Sequence, residues 1–130
     1  MNRVRSRIAA AGVAAVLIVL ACFSEHTPVG PDNSQLCNSP GGSVVNGSML
    51  VTIRSFSFQT QNVTIQRGTT VTWVNCETDG TAHTSTSDQD AWSSPLLAPG
   101  AVFTTTFDSP GVFPYHCQPH PFMTGTVTVQ

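Results

Sequence analysis

The last twenty residues, 111–130, read GVFPYHCQPHPFMTGTVTVQ. Two runs of alternating apolar and polar residues, 112–117 and 125–129, flank a loop that contains two prolines. Alternation with a period of two is typical of β-strands, and it places Phe113, Tyr115 and Cys117 on one face of the first strand. Pro114 cannot donate to a β-ladder, so we expect an edge or a bulge there. The stretch therefore predicts two strands joined by a stiff loop.

Short runs of alternating apolar and polar residues continue upstream as far as Met49. Thr and Val are abundant, with 17 and 15 residues, and both favour strands over helices. No helical periodicity longer than one turn follows residue 23, although the long irregular stretch 85–99 has room for one short helical turn. Short strands bounded by Gly, Pro, Asp or Ser predict an all-β sandwich or small barrel. The further predicted strands are 49–53, 62–65, 70–75 and 102–107.

The N-terminal part of the chain predicts export. Three arginines precede an uncharged, apolar run at residues 8–23, which is shorter than the roughly 20 residues of a membrane span. We therefore interpret residues 1–21 as a signal peptide. Residues 22–48 are rich in Pro, Gly and Ser, which predicts a flexible tether before a domain at 49–130.

The end of the signal, Val19-Leu20-Ala21-Cys22, resembles the cleavage box of bacterial lipoproteins, although Leu20 is not the commonest residue there. A lipid on Cys22 would anchor the domain to a membrane in the periplasm or at the cell surface, and the tether would give it reach. Plain export without a lipid is the alternative.

The charge balance excludes two classes of partner. Charged residues make up 9% of the chain, and there is no lysine. After removal of the signal, two arginines face seven carboxylates. An acidic chain of this kind lacks the basic face that nucleic acids or anionic membrane surfaces require.

The proline-containing loop carries three metal-binding side chains. Cys117, His120 and Met123 follow one another at three-residue spacing, which allows a thiolate, an imidazole and a thioether to converge. His83 follows a polar turn upstream and offers a second imidazole. Two nitrogens, one thiolate and a weak thioether form the donor set of a blue-copper centre. Zinc gains little from a methionine, so the pattern favours one copper ion.

The chain from Met49 to its end resembles the plastocyanin/azurin family of small blue copper proteins. The resemblance rests on residues 72–75 followed by His83, on the run of glycines and aromatic residues at 99–115, and on the loop 117–123, which is similar to that of the amicyanins. It implies an eight-stranded Greek-key sandwich with copper at one end, bound by His83, Cys117, His120 and Met123. Several family members have Asn where this chain has Thr84, and Cys76 has no counterpart in the amicyanin pattern.

The other histidines have structural or surface interpretations. His116 is adjacent to Cys117 but points to the opposite face of its strand, and His26 lies in the predicted tether. Multicopper oxidases have histidines on both sides of the copper cysteine, whereas Gln118 occupies one side here. This argues against an oxidase.

The pattern predicts a monomeric one-electron carrier outside the cytoplasm, not an enzyme, because no nucleophile–base pair or pair of carboxylates accompanies the metal residues. A copper storage, delivery or sensing protein with the same ligands is the main alternative. An electron-accepting subunit of a membrane respiratory complex is a third hypothesis. We expect Asn75 and backbone amides near Cys117 to support the ligands by hydrogen bonding.

Redox partners are expected to dock briefly on an apolar surface around His120. That surface is predicted to contain uncharged residues from two loops, namely Leu96, Leu97, Pro99, Pro119, Pro121 and Phe122. A small, uncharged surface suits brief docking. The alternative is that Leu97 and Phe122 complete the core beneath the loop.

Cysteine counting predicts a disulfide. If Cys117 binds metal and Cys22 carries a lipid, Cys37 and Cys76 remain, and leftover pairs usually bond in oxidising compartments. Closing a loop of this length contributes up to about 4 kcal/mol in the chain-entropy model.

Overall fold

The structure, a computed structural model, describes residues 33–130. This part of the chain contains one short helix and nine strands. The helix α1 spans Ser34–Cys37, and the strands are β1 Val44–Val45, β2 Ser48–Arg54, β3 Ser57–Gln59, β4 Asn62–Ile65, β5 Thr69–Asn75, β6 Thr86–Ser87, β7 Val102–Phe107, β8 Gly111–His116 and β9 Thr124–Val129.

The strands form the two sheets of a Greek-key β-sandwich. In the first sheet the order is β1-β2-β5-β7, and β3 pairs with β2; in the second it is β4-β9-β8-β6. Two neighbouring pairs, β2 with β5 and β4 with β9, run parallel, and the other pairs are antiparallel. The predicted all-β sandwich is confirmed.

Alternation along the strands separates two buried clusters. The main core lies between the sheets and is rich in aromatic side chains, with Trp73 and Tyr115 fully buried. On the outer face of the first sheet, Leu50, Val74 and Cys76 form a smaller cluster. Because residues in a strand alternate between faces, Trp73 and Val74 contribute to different clusters.

Every predicted strand is present, with bounds that match or differ by one residue. The two- and three-residue strands β1, β3 and β6 are additional, because they are too short to show alternation in the sequence. Pro114 lies at an edge, as expected: β6 ends opposite Tyr115, and beyond it the Asp88 amide donates to the Pro114 carbonyl at 3.0 Å.

Two expectations differ from the structure. Residues 33–48, which the sequence assigns to the tether, contain α1 and β1 and pack against the first sheet, so the folded part of the chain begins before Met49. Small cysteine-linked segments can pack without long apolar runs, which explains why the composition of this segment suggests flexibility. Residues 85–99 contain β6 and isolated bridges and no helical turn.

The predicted disulfide between Cys37 and Cys76 is present, with a Cα–Cα distance of 5.5 Å. The predicted signal peptide, His26 and Cys22 lie outside the described residues. Among residues 33–130, no helix has the length and apolar character needed to cross a membrane.

Candidate metal centre

His83 is positioned by backbone and side-chain contacts. Its amide donates to the Leu97 carbonyl at 3.0 Å, and the Leu97 amide donates to the His83 carbonyl at 2.7 Å. The buried Asn75 amide group donates to the Thr81 and Leu97 carbonyls, both at 2.8 Å. The loop and the bridge together hold a fully buried imidazole. Asn75 acts on the loop of His83 through Thr81 and Leu97, and its bonds are made to these neighbours of the ligand.

Glu77 fixes the orientation of the His83 ring. Its Oε1 atom lies 3.3 Å from His83 Nε2, and the Glu77 side chain is 7% exposed. A carboxylate only accepts, so Nε2 carries the proton and Nδ1 presents its lone pair. Burial, and then the neighbouring His120 ring, lower the pKa of His83, which favours the neutral, metal-binding form.

The loop after β8 is closed by three backbone hydrogen bonds. Cys117 donates to the Met123 carbonyl, His120 to the Cys117 carbonyl, and Met123 to the His120 carbonyl, at 2.9–3.1 Å. The three-residue spacing in the sequence is thus a hydrogen-bonded repeat in the structure. Cys117 and Met123 are buried in the main core, whereas His120 is half-buried.

Three donor atoms from the two loops converge. Cys117 Sγ lies 3.6 Å from Nδ1 of His83 and 3.6 Å from Nδ1 of His120, and the two Nδ1 atoms are 3.1 Å apart. A point equidistant from the three atoms is about 2 Å from each, close to a metal–imidazole bond length. The grouping of His83, Cys117 and His120 therefore fits a metal ion, and two imidazoles with one thiolate are the trigonal donor set of blue copper.

Thr84 joins the two ligand loops. Its amide donates to Cys117 Sγ at 3.3 Å, and its Oγ1 accepts from the Gln118 amide at 2.8 Å. The two ligand loops are therefore linked by the amide and the hydroxyl of a single threonine. An amide directed at sulfur also stabilises thiolate charge.

Aromatic rings border the outer side of the centre. Phe56 meets the His83 and His120 rings edge-on, with centroids 5.5 and 5.0 Å apart. Phe122 lies 6.0 Å from His120 and is 72% exposed. Leu97 is 2% exposed, so its predicted place on the docking surface is wrong: its bridge to His83 turns it into the core.

The sequence does not single out Glu77 as a support or Phe56 as a neighbour of the centre. Glu77 Oε1 and Oε2 accept the amides of Phe56 and Ser55, at 2.8 and 3.0 Å, which ties a β-turn to the histidine loop. Neither residue belongs to a spaced motif, although a carboxylate six residues before a ligand histidine could have indicated a hydrogen-bond partner for its ring. His116 lies outside the centre and bonds Asp88 at the surface, as predicted.

Comparison with known proteins agrees with this geometry. Residues 45–130 match the family model described as copper binding proteins, plastocyanin/azurin family. Amicyanin of Paracoccus denitrificans is 30% identical over 117 residues, which cover 86% of this chain and 89% of that protein. Plastocyanin of Scenedesmus fuscus is 38% identical over 86 residues, covering 56% of this chain and 86% of its own.

Solved structures show the same fold. A reduced mutant form of amicyanin aligns with a TM-score of 0.60 at 28% identity, over 69% of this chain and 89% of that one. A purple cupredoxin from Nitrosopumilus maritimus aligns with a TM-score of 0.57 at 29% identity, over 62% and 98%. The chain therefore belongs to the plastocyanin/azurin family of copper binding proteins, and copper is its cofactor.

Proposed function

We propose that this protein is a one-electron carrier in which His83, Cys117 and His120 bind a single copper ion and Met123 is a weak axial ligand. The observation that carries the proposal is the convergence of two Nδ1 atoms and one Sγ atom, 3.1–3.6 Å apart, from two separate loops. The amicyanins and plastocyanins, to which the chain is similar, are small blue copper proteins of this kind.

The protein frame suits electron transfer because both ligand loops are held by hydrogen bonds from within the fold. Copper, when bound, supplies the chemistry by alternating between Cu(II) and Cu(I). The Leu97 bridge restrains His83, and the repeat after β8 restrains Cys117 and His120. Ligands that keep their positions in both oxidation states lower the reorganisation that accompanies electron transfer.

The assignment of Met123 rests on its placement in the ligand loop. Its side chain is 2% exposed and belongs to the same core cluster as Cys117. Both its amide and its carbonyl are bonded to ligand residues, His120 and Cys117. A buried thioether held at this end of the sandwich suits a weak, long axial bond that tunes the reduction potential.

Electrons are proposed to leave through His120, the only half-buried member of the grouped donors. In the same loop Phe122 is 72% exposed, with its ring 6.0 Å from that of His120, and Pro119 and Pro121 are exposed. Leu96, from the connection that follows His83, is 63% exposed. An apolar surface made of a few exposed side chains suits brief docking of a redox partner. We also propose that the protein is a monomer and that it is not an enzyme.

We place the protein outside the cytoplasm, tethered through a lipid on Cys22. The support is the sequence of residues 1–22 together with the similarity to amicyanin. Mass spectrometry of the mature N-terminus is the test, and a Cys22 without lipid would contradict the anchor.

The visible spectrum of the copper-loaded protein tests the proposed function. A Cu(II)–thiolate bond gives an intense visible band, and we expect Cys117→Ala to abolish it. His116→Ala is the matched control, since His116 is adjacent in sequence but bonds Asp88 at the surface, and it should leave the band intact. A colourless Cu(II) form, or a band that survives Cys117→Ala, would refute the ligand assignment.

Voltammetry then separates a carrier from a copper storage or delivery protein. A carrier should give a reversible one-electron wave and retain Cu(I) against a chelator such as bicinchoninate. Ready transfer of Cu(I) to the chelator, without a reversible wave, would favour copper handling instead.

A further inference from the structure

The N-terminal arm, residues 33–45, covers the outer face of the first sheet. Leu36, Cys37 and Val45 pack against the buried Leu50 and Val74. The arm is also tied at its start, where the Asn33 side chain donates to the Gly100 carbonyl at 3.0 Å. The arm is therefore held by apolar packing and a side-chain hydrogen bond in addition to the disulfide.

The other half of the disulfide, Cys76, lies between the two residues that support His83. On one side, Asn75 holds the carbonyls of Thr81 and Leu97. On the other side, Glu77 lies against the His83 ring, and its amide donates to Asn75 Oδ1 at 3.0 Å. The disulfide therefore joins the arm to Cys76, the residue at which the loop that carries His83 begins.

Between Cys76 and His83, the loop is held at Thr81, whose carbonyl accepts from the Asn75 side chain at 2.8 Å. Residues 78–80 are exposed, and the Thr81 amide bonds locally to Asp79 at 2.9 Å. The chain thus runs from β5 to His83 through residues 76–82, and the first of these, Cys76, is buried and bonded to the arm. A restraint at that residue limits the conformations open to Glu77 and, through it, to the imidazole.

We propose that the Cys37–Cys76 disulfide is a positioning element of the metal centre, which holds His83 in its binding geometry through Asn75 and Glu77. The proposal rests on the proposed function in one respect, namely that His83 is a copper ligand. If the disulfide only fastened the N-terminal arm to the sheet, its loss would leave the position of His83 unchanged. If it positions the metal centre, its loss should make His83 more mobile.

Amide hydrogen exchange of the metal-free protein distinguishes the two. We expect the double variant Cys37→Ser/Cys76→Ser to exchange the His83 and Leu97 amides at least about ten-fold faster than the wild type, because these amides report local opening of the bridge. The matched control is Leu36→Ala, which weakens the packing of the arm and keeps the disulfide. In the control, amides of the arm and of β1 should exchange faster while His83 and Leu97 stay close to wild type.

Two measurements on the copper-loaded proteins add a readout at the site. The double variant should show a shifted reduction potential and a several-fold faster transfer of Cu(I) to bicinchoninate, and Leu36→Ala should show neither. Exchange at His83 and Leu97 within two-fold of wild type, with faster exchange in the arm alone, would overturn the proposal.

A second variant guards against a folding failure. Cys37→Ala/Cys76→Val fills part of the same volume with apolar groups and removes the covalent link. If both double variants unfold globally where the wild type is folded, the disulfide is a general staple and the proposal is wrong. If the wild type lacks the visible band, the copper proposal fails, while exchange in the metal-free protein still decides whether the disulfide positions His83.

Discussion

Thr84 connects the loop of His83 to the loop of Cys117 and His120, and it does so with two different groups. Its backbone amide donates to Cys117 Sγ, and its hydroxyl oxygen accepts from the Gln118 amide. Thr84 itself is 3% exposed, so a lost hydrogen bond is not replaced by water. One small residue thereby links both ligand loops, and its contribution to stability can be measured in the metal-free protein.

Thr84→Val keeps the shape of the side chain and removes the acceptor of the Gln118 amide and of the buried Thr86 hydroxyl. We expect the free energy of unfolding of the metal-free protein to fall by about 1–3 kcal/mol, the cost of an unsatisfied buried polar group. Guanidinium denaturation measures it. Thr84→Ser, the control, keeps the hydroxyl and should lose no more than about 1 kcal/mol for one methyl group. An equal loss in both variants would contradict a role for the hydroxyl.

At the scale of elements, the ligand loop and the long strands are predictable because their patterns are local. Three-residue spacing identifies Cys117, His120 and Met123, and the backbone repeat explains why that spacing works. The connection 85–99 is not predictable, because its order comes from contacts distant in sequence, such as Ser94 with Ser85 and Leu97 with His83. Exposure within such a segment cannot be read from hydrophobicity, as the buried Leu97 beside the exposed Leu96 demonstrates.

The loop after β8 also determines where a partner can approach. Phe122→Glu places a charge beside His120, and electron self-exchange brings two copies of this surface together. Like charges at a contact cost enough that we expect the self-exchange rate to fall at least about ten-fold at low ionic strength. NMR line broadening in mixtures of the reduced and oxidised protein measures that rate.

Val112→Glu is the matched control for the docking surface. Val112 is 59% exposed and lies at the opposite end of β8 from Cys117. A charge there is remote from the contact and is largely screened, so the rate should stay within about two-fold of wild type. Equal rates in the two variants, with unchanged visible spectra, would show that electrons leave elsewhere.

Across the whole molecule, the sandwich packs the aromatic side chains between its sheets into one connected cluster. Tyr115 lies at its centre, with ring centroids 4.7 Å from Phe58 and 5.6 Å from Trp73. It is fully buried and is the only tyrosine in the chain. Burial disfavours the phenolate and raises the pKa of Tyr115 well above its ordinary value.

This burial makes stability dependent on pH in the alkaline range. In the unfolded chain Tyr115 loses its proton near pH 10, while in the folded protein it stays neutral, so folding is penalised above pH 10. The unfolded state then binds fewer protons than the folded one, and the free energy of unfolding should fall by about 1.4 kcal/mol per pH unit. Below pH 10 both states are protonated, and Tyr115 contributes no pH dependence.

Tyr115→Phe should remove this part of the alkaline loss, because phenylalanine has no proton to release. We expect the difference in unfolding free energy between the variant and the wild type to be constant from pH 7 to 9 and to grow in favour of the variant above pH 10. Phe58→Leu is the control, since it perturbs the same cluster without a titratable group and should change stability equally at every pH. Denaturation of the copper-loaded wild type, Tyr115→Phe and Phe58→Leu at constant ionic strength measures the free energy of unfolding at each pH. Parallel curves for wild type and Tyr115→Phe up to pH 11 would mean that the folded Tyr115 titrates like a solvent-exposed phenol, and that the centre of the sandwich opens to water in solution.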